Sequence, residues 1–133
     1  TAGLDPEERV RFRGLLSRYA RDGRTVLLST HIVEDIHQLC EELAVLRKGR
    51  LFYAGTSAAL LERVKDKVKI LRLEKETQLI DLQKKSVVLS TTYESHGLTA
   101  RIMDEDGLYP QAQPVEATLE DAYVYCMGGK AHA

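Results

Sequence analysis

The chain has 133 residues, of which 44% are hydrophobic and 29% are charged, and its formal net charge is −1 at pH 7. This length fits one domain or one small domain with an appendage, and the balanced charge, without a basic stripe, argues against a nucleic-acid-binding protein. Cys40 and Cys126 are unlike a disulfide framework, no signal peptide is visible, and no apolar run reaches the roughly 18 residues that span a bilayer, so we expect a cytosolic protein.

The first 40 residues predict a helix, a strand and a second helix. The stretch "LDPEE" begins a helix, with Asp5 as the N-cap and Glu8 where a capping box needs its carboxylate. The Asp-Gly pair at 22–23 ends that helix. The apolar run at 25–28 is short and partly β-branched, which is typical of a strand covered on both faces. The second helix covers about 33–40.

The next segment, "ELAVLRKGRLFYAG", predicts a β-hairpin. Its strands are expected at 43–46 and 50–54, and Lys48-Gly49 forms the turn between them. The stretch "TSAALLERV" then predicts a short helix whose N-cap is Thr56 or Ser57.

Composition changes at "KDKVKILRLEKE", where lysines alternate with apolar residues. We therefore expect a boundary near Lys65 that divides a domain at 1–64 from one at 65–133. Beyond it the pattern predicts a strand at 67–73, a helix at about 77–84, strands at "SVVLSTTY" and "LTARIM", and a last helix at "ATLEDAYVYCM". This β-α-β-β-α order is a truncated ferredoxin-like arrangement, so the predicted fold class is α/β with a small α+β module.

His31 is the most informative candidate for chemistry, because it follows the predicted strand at 25–28. Sheets of α/β proteins bind ligands outside the carboxyl ends of their strands. A histidine there can donate a ring N–H to an anionic oxygen, and Ser29 and Thr30 add hydroxyls. The alternative is that His31 is a polar residue that leaves the strand and caps the next helix. Asp5 has a similar alternative, since it caps a helix whether or not anything binds.

Other signals for chemistry are weak. His31 and His37 lie six residues apart on different helical faces, and no cysteine or further histidine completes a set, so no metal site is predicted. The "GGK" near the C-terminus lacks the phosphate-loop pattern, since Val124 and Ala131 stand where a glycine and a hydroxyl are needed. No nucleophile elbow, paired carboxylates or Cys–His couple is visible, which argues against an acid–base enzyme working alone.

Two stretches, "TAGLDPEER" and "LLSTHIVEDIHQLCEELAVLRKGRLFYAGT", together resemble the C-terminal half of a bacterial export-type ABC transporter ATP-binding subunit. Thr1 to Pro6 match the end of the family's D-E-P-T-x-G-L-D-P run, with Gly3-Leu4-Asp5 at the D-loop. Ser29-Thr30-His31 match the switch loop. The likeness is dense over 1–64 and returns at "EATLEDAYVY". It implies that this part is a sheet-and-helix segment of a P-loop NTPase fold.

The resemblance implies roles for these residues. His31 would hydrogen-bond the γ-phosphate of ATP and help to hold the attacking water, beside Ser29 and Thr30. The D-loop residues Gly3-Leu4-Asp5 would reach across a head-to-tail dimer. The implied cofactors of the complete protein are ATP and Mg²⁺. The implied partners are a second nucleotide-binding subunit, a membrane permease that is contacted from the cytoplasmic side, and the missing N-terminal half of the same domain.

The departures from the family are as informative as the matches. The sequence has no Walker A motif, Q-loop, LSGGQ-type signature or Walker B strand, so no backbone cradle for the β- and γ-phosphates is present. We expect Asp-Glu-Pro before Thr1, in a longer chain of which this is a fragment. The chain alone is therefore predicted neither to bind ATP tightly nor to hydrolyse it.

A second hypothesis comes from another class of protein. The residues at 65–127 suit a non-enzymatic α/β regulatory or dimerisation module, of the kind that pairs sheets edge to edge. The ordered D-loop and switch-loop set counts against this alternative, because a pure binding module does not need it.

Overall fold

The computed structural model describes residues 3, 5–30 and 32–128 of the chain. Over these residues the fold is α/β, with two antiparallel sheets. The elements in chain order are α1 (Pro6–Arg21), α2 (Val33–Leu39), β1 (Glu42–Arg47), β2 (Arg50–Thr56), α3 (Ser57–Glu62), β3 (Val68–Leu73), α4 (Glu76–Lys85), β4 (Val87–Glu94), β5 (Gly97–Met103), β6 (Gln113–Pro114) and α5 (Leu119–Cys126).

The first helix begins and ends where the sequence predicts. The Asp5 carboxylate accepts a hydrogen bond from the Glu8 backbone N–H at 2.9 Å, which satisfies one of the unpaired donors of the first turn. At the other end Asp22 is the C-cap, and Gly23 follows with a φ of +78°. The helix buries none of its residues, and the apolar side chains of Val10 and Leu15 are exposed.

The prediction of a strand at 25–28 is wrong. These residues join neither sheet, and the side chain of Leu27 is 97% exposed. A strand needs a neighbour whose backbone groups pair with its own. Within the described parts of the chain, the strands pair in two other sheets, and neither provides an edge to this segment. The apolar composition of this run favours burial, but burial alone does not make a strand without a partner to pair with.

The predicted hairpin is confirmed. Strands β1 and β2 pair antiparallel, with Val45 opposite Tyr53. The turn residues Lys48 and Gly49 both have positive φ, at +51° and +74°, as the type I′ hairpin turn requires. The hydroxyl of Thr56 then accepts from the Ala59 N–H at 3.1 Å, so Thr56 is the N-cap of α3.

The second sheet has four antiparallel strands in the order β4-β5-β3-β6. Helix α4 lies between β3 and β4 in the chain, as predicted, and α5 is the last element. The short strand β6 was not predicted, because it lies in the proline-containing stretch "DEDGLYPQAQP". It pairs with β3 through Lys69 and Ile70. Over the described ranges, no helix has the length and hydropathy that a membrane-spanning segment needs.

Two hydrophobic clusters fill the two faces of this sheet. The first cluster joins the sheet to the hairpin, α3 and α5, and its buried members are Val45, Tyr53, Leu60, Val64, Val68, Leu89, Met103, Leu119, Ala122 and Cys126. The second lies under α4, with Leu79, Leu82, Val88, Leu98, Ala100 and Ile102. The first cluster therefore contains residues from both sides of Lys65. The domain boundary between 1–64 and 65–133 stays a prediction.

Leu60→Ala and Leu15→Ala test where the stability resides. Leu60 is 1% exposed in the first cluster and Leu15 is 56% exposed on α1. Removing the buried side chain leaves a cavity, so we expect Leu60→Ala to lower the free energy of unfolding by about 2–5 kcal/mol. Leu15→Ala is the matched control and should change it by less than about 0.5 kcal/mol. Urea denaturation measures both, and equal losses would contradict this assignment of the core.

Candidate functional site

The switch-loop candidates lie in the segment that leads into α2. Ser29 is exposed and Thr30 is half-buried, and the Thr30 Oγ1 accepts from the Ile32 backbone N–H at 3.0 Å. This turn starts α2, whose N-cap Ile32 offers no side-chain hydrogen bond of its own. A hydroxyl is a donor as well as an acceptor, so the turn is compatible with a contact from Thr30 to an anionic oxygen. His31 itself lies outside the described residues.

The D-loop candidates lie at the start of α1. Gly3 adopts a φ of +89°, and an added Cβ would meet nothing within 4 Å, so conformation rather than space favours glycine here. Asp5 accepts a hydrogen bond from the Glu8 N–H and is therefore the N-cap of α1, as the structural alternative for this residue predicted. Leu4 lies outside the described residues. Because α1 packs against α2, the two candidate loops precede helices that touch each other.

Two open clefts lie beside these helices. One, of about 470 Å³, is bounded by α1, by the segment 24–28 and by residues 39–42, which include Glu41 and Glu42. The other, of about 540 Å³, lies between α2 and the start of α5 and is bordered by Glu34, Glu116 and Glu120. The first cleft is also bordered by Arg24 and the second by His37, so neither cleft presents carboxylates alone.

The cysteine and histidine side chains form no reactive set in the described structure. Burial raises the pKa of the Cys40 thiol, and it also raises that of Cys126 despite an opposing hydrogen bond to Arg63. A raised thiol pKa keeps cysteine protonated and weakly nucleophilic. Across the described ranges, which do not contain His31, no group of three or more histidine, cysteine and acidic side chains is arranged to hold a metal ion.

The most strongly connected polar group joins β5 to α5, and the sequence analysis missed it. Arg101 donates from Nε to Asp121 Oδ1 at 3.1 Å and from a terminal nitrogen to Oδ2 at 2.6 Å, a bidentate pair. The same guanidinium donates to the carbonyl of Glu116 at 3.1 Å. Asp121 also accepts from the Thr118 N–H, while the Thr118 hydroxyl accepts from the Asp121 N–H. The spacing of Thr118 and Asp121 is a capping-box signal in the sequence, whereas nothing there indicates Arg101.

A second buried carboxylate, Asp104, anchors the loop after β5. It accepts from Lys69 Nζ at 3.1 Å and from the backbone N–H groups of Leu108 and Tyr109 at 2.8 and 3.3 Å. Burial alone would raise the pKa of Asp104, but these hydrogen bonds outweigh it and hold the pKa below the ordinary 3.8. Burial would likewise raise the pKa of Asp121, but hydrogen bonds from Arg101 and Thr118 outweigh it and lower that pKa.

Comparison with known proteins connects part of the chain to transporter ATPases. No protein-family model matches the chain. Over 66 residues, 47% of its length, the chain is 46% identical to Nod factor export ATP-binding protein I of Rhizobium leguminosarum bv. viciae, and it covers 20% of that protein. The protein of the same name from Burkholderia orbicola is 41% identical, again over 66 residues, with 47% of this chain and 20% of that protein covered. An uncharacterized ABC transporter ATP-binding protein of Synechocystis sp. is 33% identical over 60 residues, which are 45% of this chain and 17% of that protein.

The resemblance to ABC transporter ATP-binding subunits is thus confirmed over about 47% of the chain. The chain spans about a fifth of the length of these relatives. Activity, substrate and partners of a whole protein accordingly enter only as proposals.

Asp104→Asn tests the stabilising role of the buried carboxylate through pH. Because the folded pKa of Asp104 lies below its ordinary value, its contribution is present above about pH 4 and is lost as the pH falls through the folded pKa. We expect the variant to be less stable at pH 7 and to lose less stability than the wild type as the pH is lowered below about 4. Urea denaturation at stepped pH measures both quantities.

The matched control for that series is Glu105→Gln. Glu105 pairs with Lys67 at 3.6 Å on the surface, and exposed pairs contribute little to stability. Its stability curve should follow the wild type at neutral pH. An Asp104→Asn variant with the same pH dependence as the wild type would show that this carboxylate does not stabilise the fold.

Proposed function

We propose that the chain is part of the ATP-binding and ATP-hydrolysing subunit of an export-type ABC transporter. The observation that carries the proposal is the 46% identity over 66 residues to an export ATP-binding protein. The ordered D-loop and switch-loop motifs at 3–5 and 29–31 support the same assignment. We further propose that 1–64 is the nucleotide-binding segment and that 65–133 is an accessory domain.

The chain by itself does not fit ATP. Its sequence has no glycine-rich phosphate loop. The phosphate-binding residues and Mg²⁺ ligands therefore have to come from another part of the complete subunit. In that subunit we propose His31 as the catalytic residue, with Ser29 and Thr30 beside it, and Gly3, Leu4 and Asp5 as the interface with a second nucleotide-binding subunit. The packing of α1 on α2 supports this, since the two loops precede adjacent helices.

The surface of α1 supports a contact with the rest of the nucleotide-binding domain. The apolar side chains of Phe12, Leu15 and Tyr19 share one face of this helix and are exposed. A helix with such a face in a folded protein is normally covered by other elements. We propose that the missing N-terminal half covers it, and that the complete subunit lies in the cytoplasm against a membrane permease.

The strand order β4-β5-β3-β6, with α4 connecting β3 to β4, supports a ferredoxin-like accessory domain. It differs from the full motif in one respect, because the second helix, α5, follows the last strand instead of preceding it. The alternative function, a stand-alone regulatory or dimerisation module, is less favoured. A stand-alone module would bury its core by itself, whereas residues of the hairpin and α3 complete the first core cluster of the sheet.

His31→Ala in the complete subunit tests the proposed catalysis. Loss of a group that stabilises charge at the phosphoryl-transfer centre should lower kcat on the order of a hundredfold, with ATP binding retained. Steady-state ATPase assays and nucleotide titration measure the two quantities. His37→Ala is the matched control, because His37 is an exposed histidine on α2, and it should leave turnover unchanged. Unchanged turnover in His31→Ala would remove His31 from the site.

The chain alone should not bind nucleotide, because the phosphate cradle is absent from its sequence. Isothermal titration of the 133-residue chain with MgATP is expected to give no heat of binding. A dissociation constant near the micromolar range would contradict this, and it would mean that the chain forms a nucleotide site that the motifs do not reveal. The coding sequence upstream of Thr1 supplies a separate test, since the proposal requires an apolar strand that ends in Asp-Glu-Pro.

A further inference from the structure

Helix α2 depends on tertiary packing more than the longer helices do. It has seven residues, and its N-cap makes no side-chain hydrogen bond. A helix this short is not stable in water by itself, so packing decides whether it forms. Val33 and Ile36 supply that packing, since both lie against the first core cluster. Among the described elements, α2 packs chiefly against α1, which buries none of its own residues, and against α5, which buries four. The buried support of α2 therefore comes mainly from α5.

The position of α5 is in turn fixed by the sheet through Arg101. This residue lies on β5, which pairs with both β3 and β4. Its guanidinium holds both carboxylate oxygens of Asp121 and the carbonyl of Glu116, so three bonds tie the start of α5 to the sheet. The planar guanidinium fork fixes direction as well as distance, which a single-point contact would not do.

The pair is costly to break because it is buried. The side chain of Asp121 is 5% exposed and that of Arg101 is 27% exposed. Removing the arginine leaves a buried carboxylate without its counter-charge. The first turn of α5 must then move to hydrate Asp121, and that turn also carries Leu119 and Ala122, which belong to the first core cluster. The surface on which α2 rests would be displaced with it.

We propose that Arg101 and Asp121 are positioning residues that hold α5 against α2 and so control whether α2 and the preceding hydrogen bond from the Ile32 N–H to the Thr30 hydroxyl are formed. The C-terminal sheet thereby acts on α2 through α5. This inference rests on the proposed function only for its consequence in catalysis. In the 133-residue chain the inference concerns only the contact between α5 and α2 and its effect on the order of α2.

Hydrogen exchange of the 133-residue chain tests the proposal directly. In Arg101→Met, which keeps the aliphatic stem, the amides in the last turn of α2 and the Cys40 N–H, which bonds to the Ile36 carbonyl at 2.9 Å, should exchange at least about fivefold faster than in the wild type. Arg101→Lys keeps the charge without the fork and should give an intermediate rate. Arg72→Met is the matched control. Arg72 pairs with Glu94 at 3.8 Å on the exposed part of the sheet, and its loss should leave α2 unchanged.

A second comparison separates positioning from general destabilisation. Lys69→Met breaks the other buried ion pair of the sheet, to Asp104, which does not involve α5. Exchange is compared at urea concentrations that give Lys69→Met and Arg101→Met the same free energy of unfolding. Faster exchange of α2 in Arg101→Met alone supports the proposal. Equal exchange of α2 in the two variants would overturn it, because lost stability would then explain the whole effect.

In the complete subunit the same variants show the functional consequence. Arg101→Met should lower kcat for ATP at least about fivefold and leave KM within about twofold, whereas Arg72→Met should change neither. An unchanged kcat would overturn the link from α5 through α2 to catalysis. If the wild-type subunit hydrolyses no ATP, the proposed function fails by itself, and the exchange of α2 still decides the inference.

Discussion

The packing of α5 is the contact on which most of the structure depends. Leu119, Ala122 and Cys126 are buried where the hairpin, α3 and the four-stranded sheet meet. A two-stranded hairpin and helices of six or seven residues are each marginal alone, because none buries enough apolar surface to offset the entropy of ordering it. Helix α5 supplies the shared surface that makes these short elements stable together.

The packing of α5 places the charged carboxylate of Asp121 in the interior, where hydrogen bonds and an ion pair stabilise it. A buried aspartate is costly unless it is paired and its remaining lone pairs are used. Asp121 meets both conditions, with Arg101 on one side and the Thr118 N–H on the other. Asp104 meets them with Lys69 and two backbone donors. These two carboxylates anchor the segment between them at both ends, and β6 fixes its middle against β3. A stretch rich in loop residues is thereby held in place.

The sequence predicted local features well and the first strand poorly, for one physical reason. The caps at Asp5 and Thr56 are bonds between residues three positions apart, and the Lys48-Gly49 turn needs only two backbone angles, so residue types at fixed spacing are sufficient to predict them. The run at 25–28 has the composition of a buried strand, but forming one requires a paired neighbour. In the candidate site, Gly3, Asp5, Ser29 and Thr30 lie before two touching helices, while Leu4 and His31 lie outside the described residues.

The amino-acid sequence by itself determined the helices, the hairpin, their boundaries to within a few residues, and the order of motifs that pointed to a transporter ATPase segment. Only the tertiary structure decided that α5 supports α2 and that one core cluster crosses the predicted boundary. It also selected Arg101 as the partner of Asp121 and Lys69 as the partner of Asp104, across separations of 20 and 35 residues. Each charge has many possible partners at such distances, and the choice among them is made by which strands pair, a global property that local spacing does not contain.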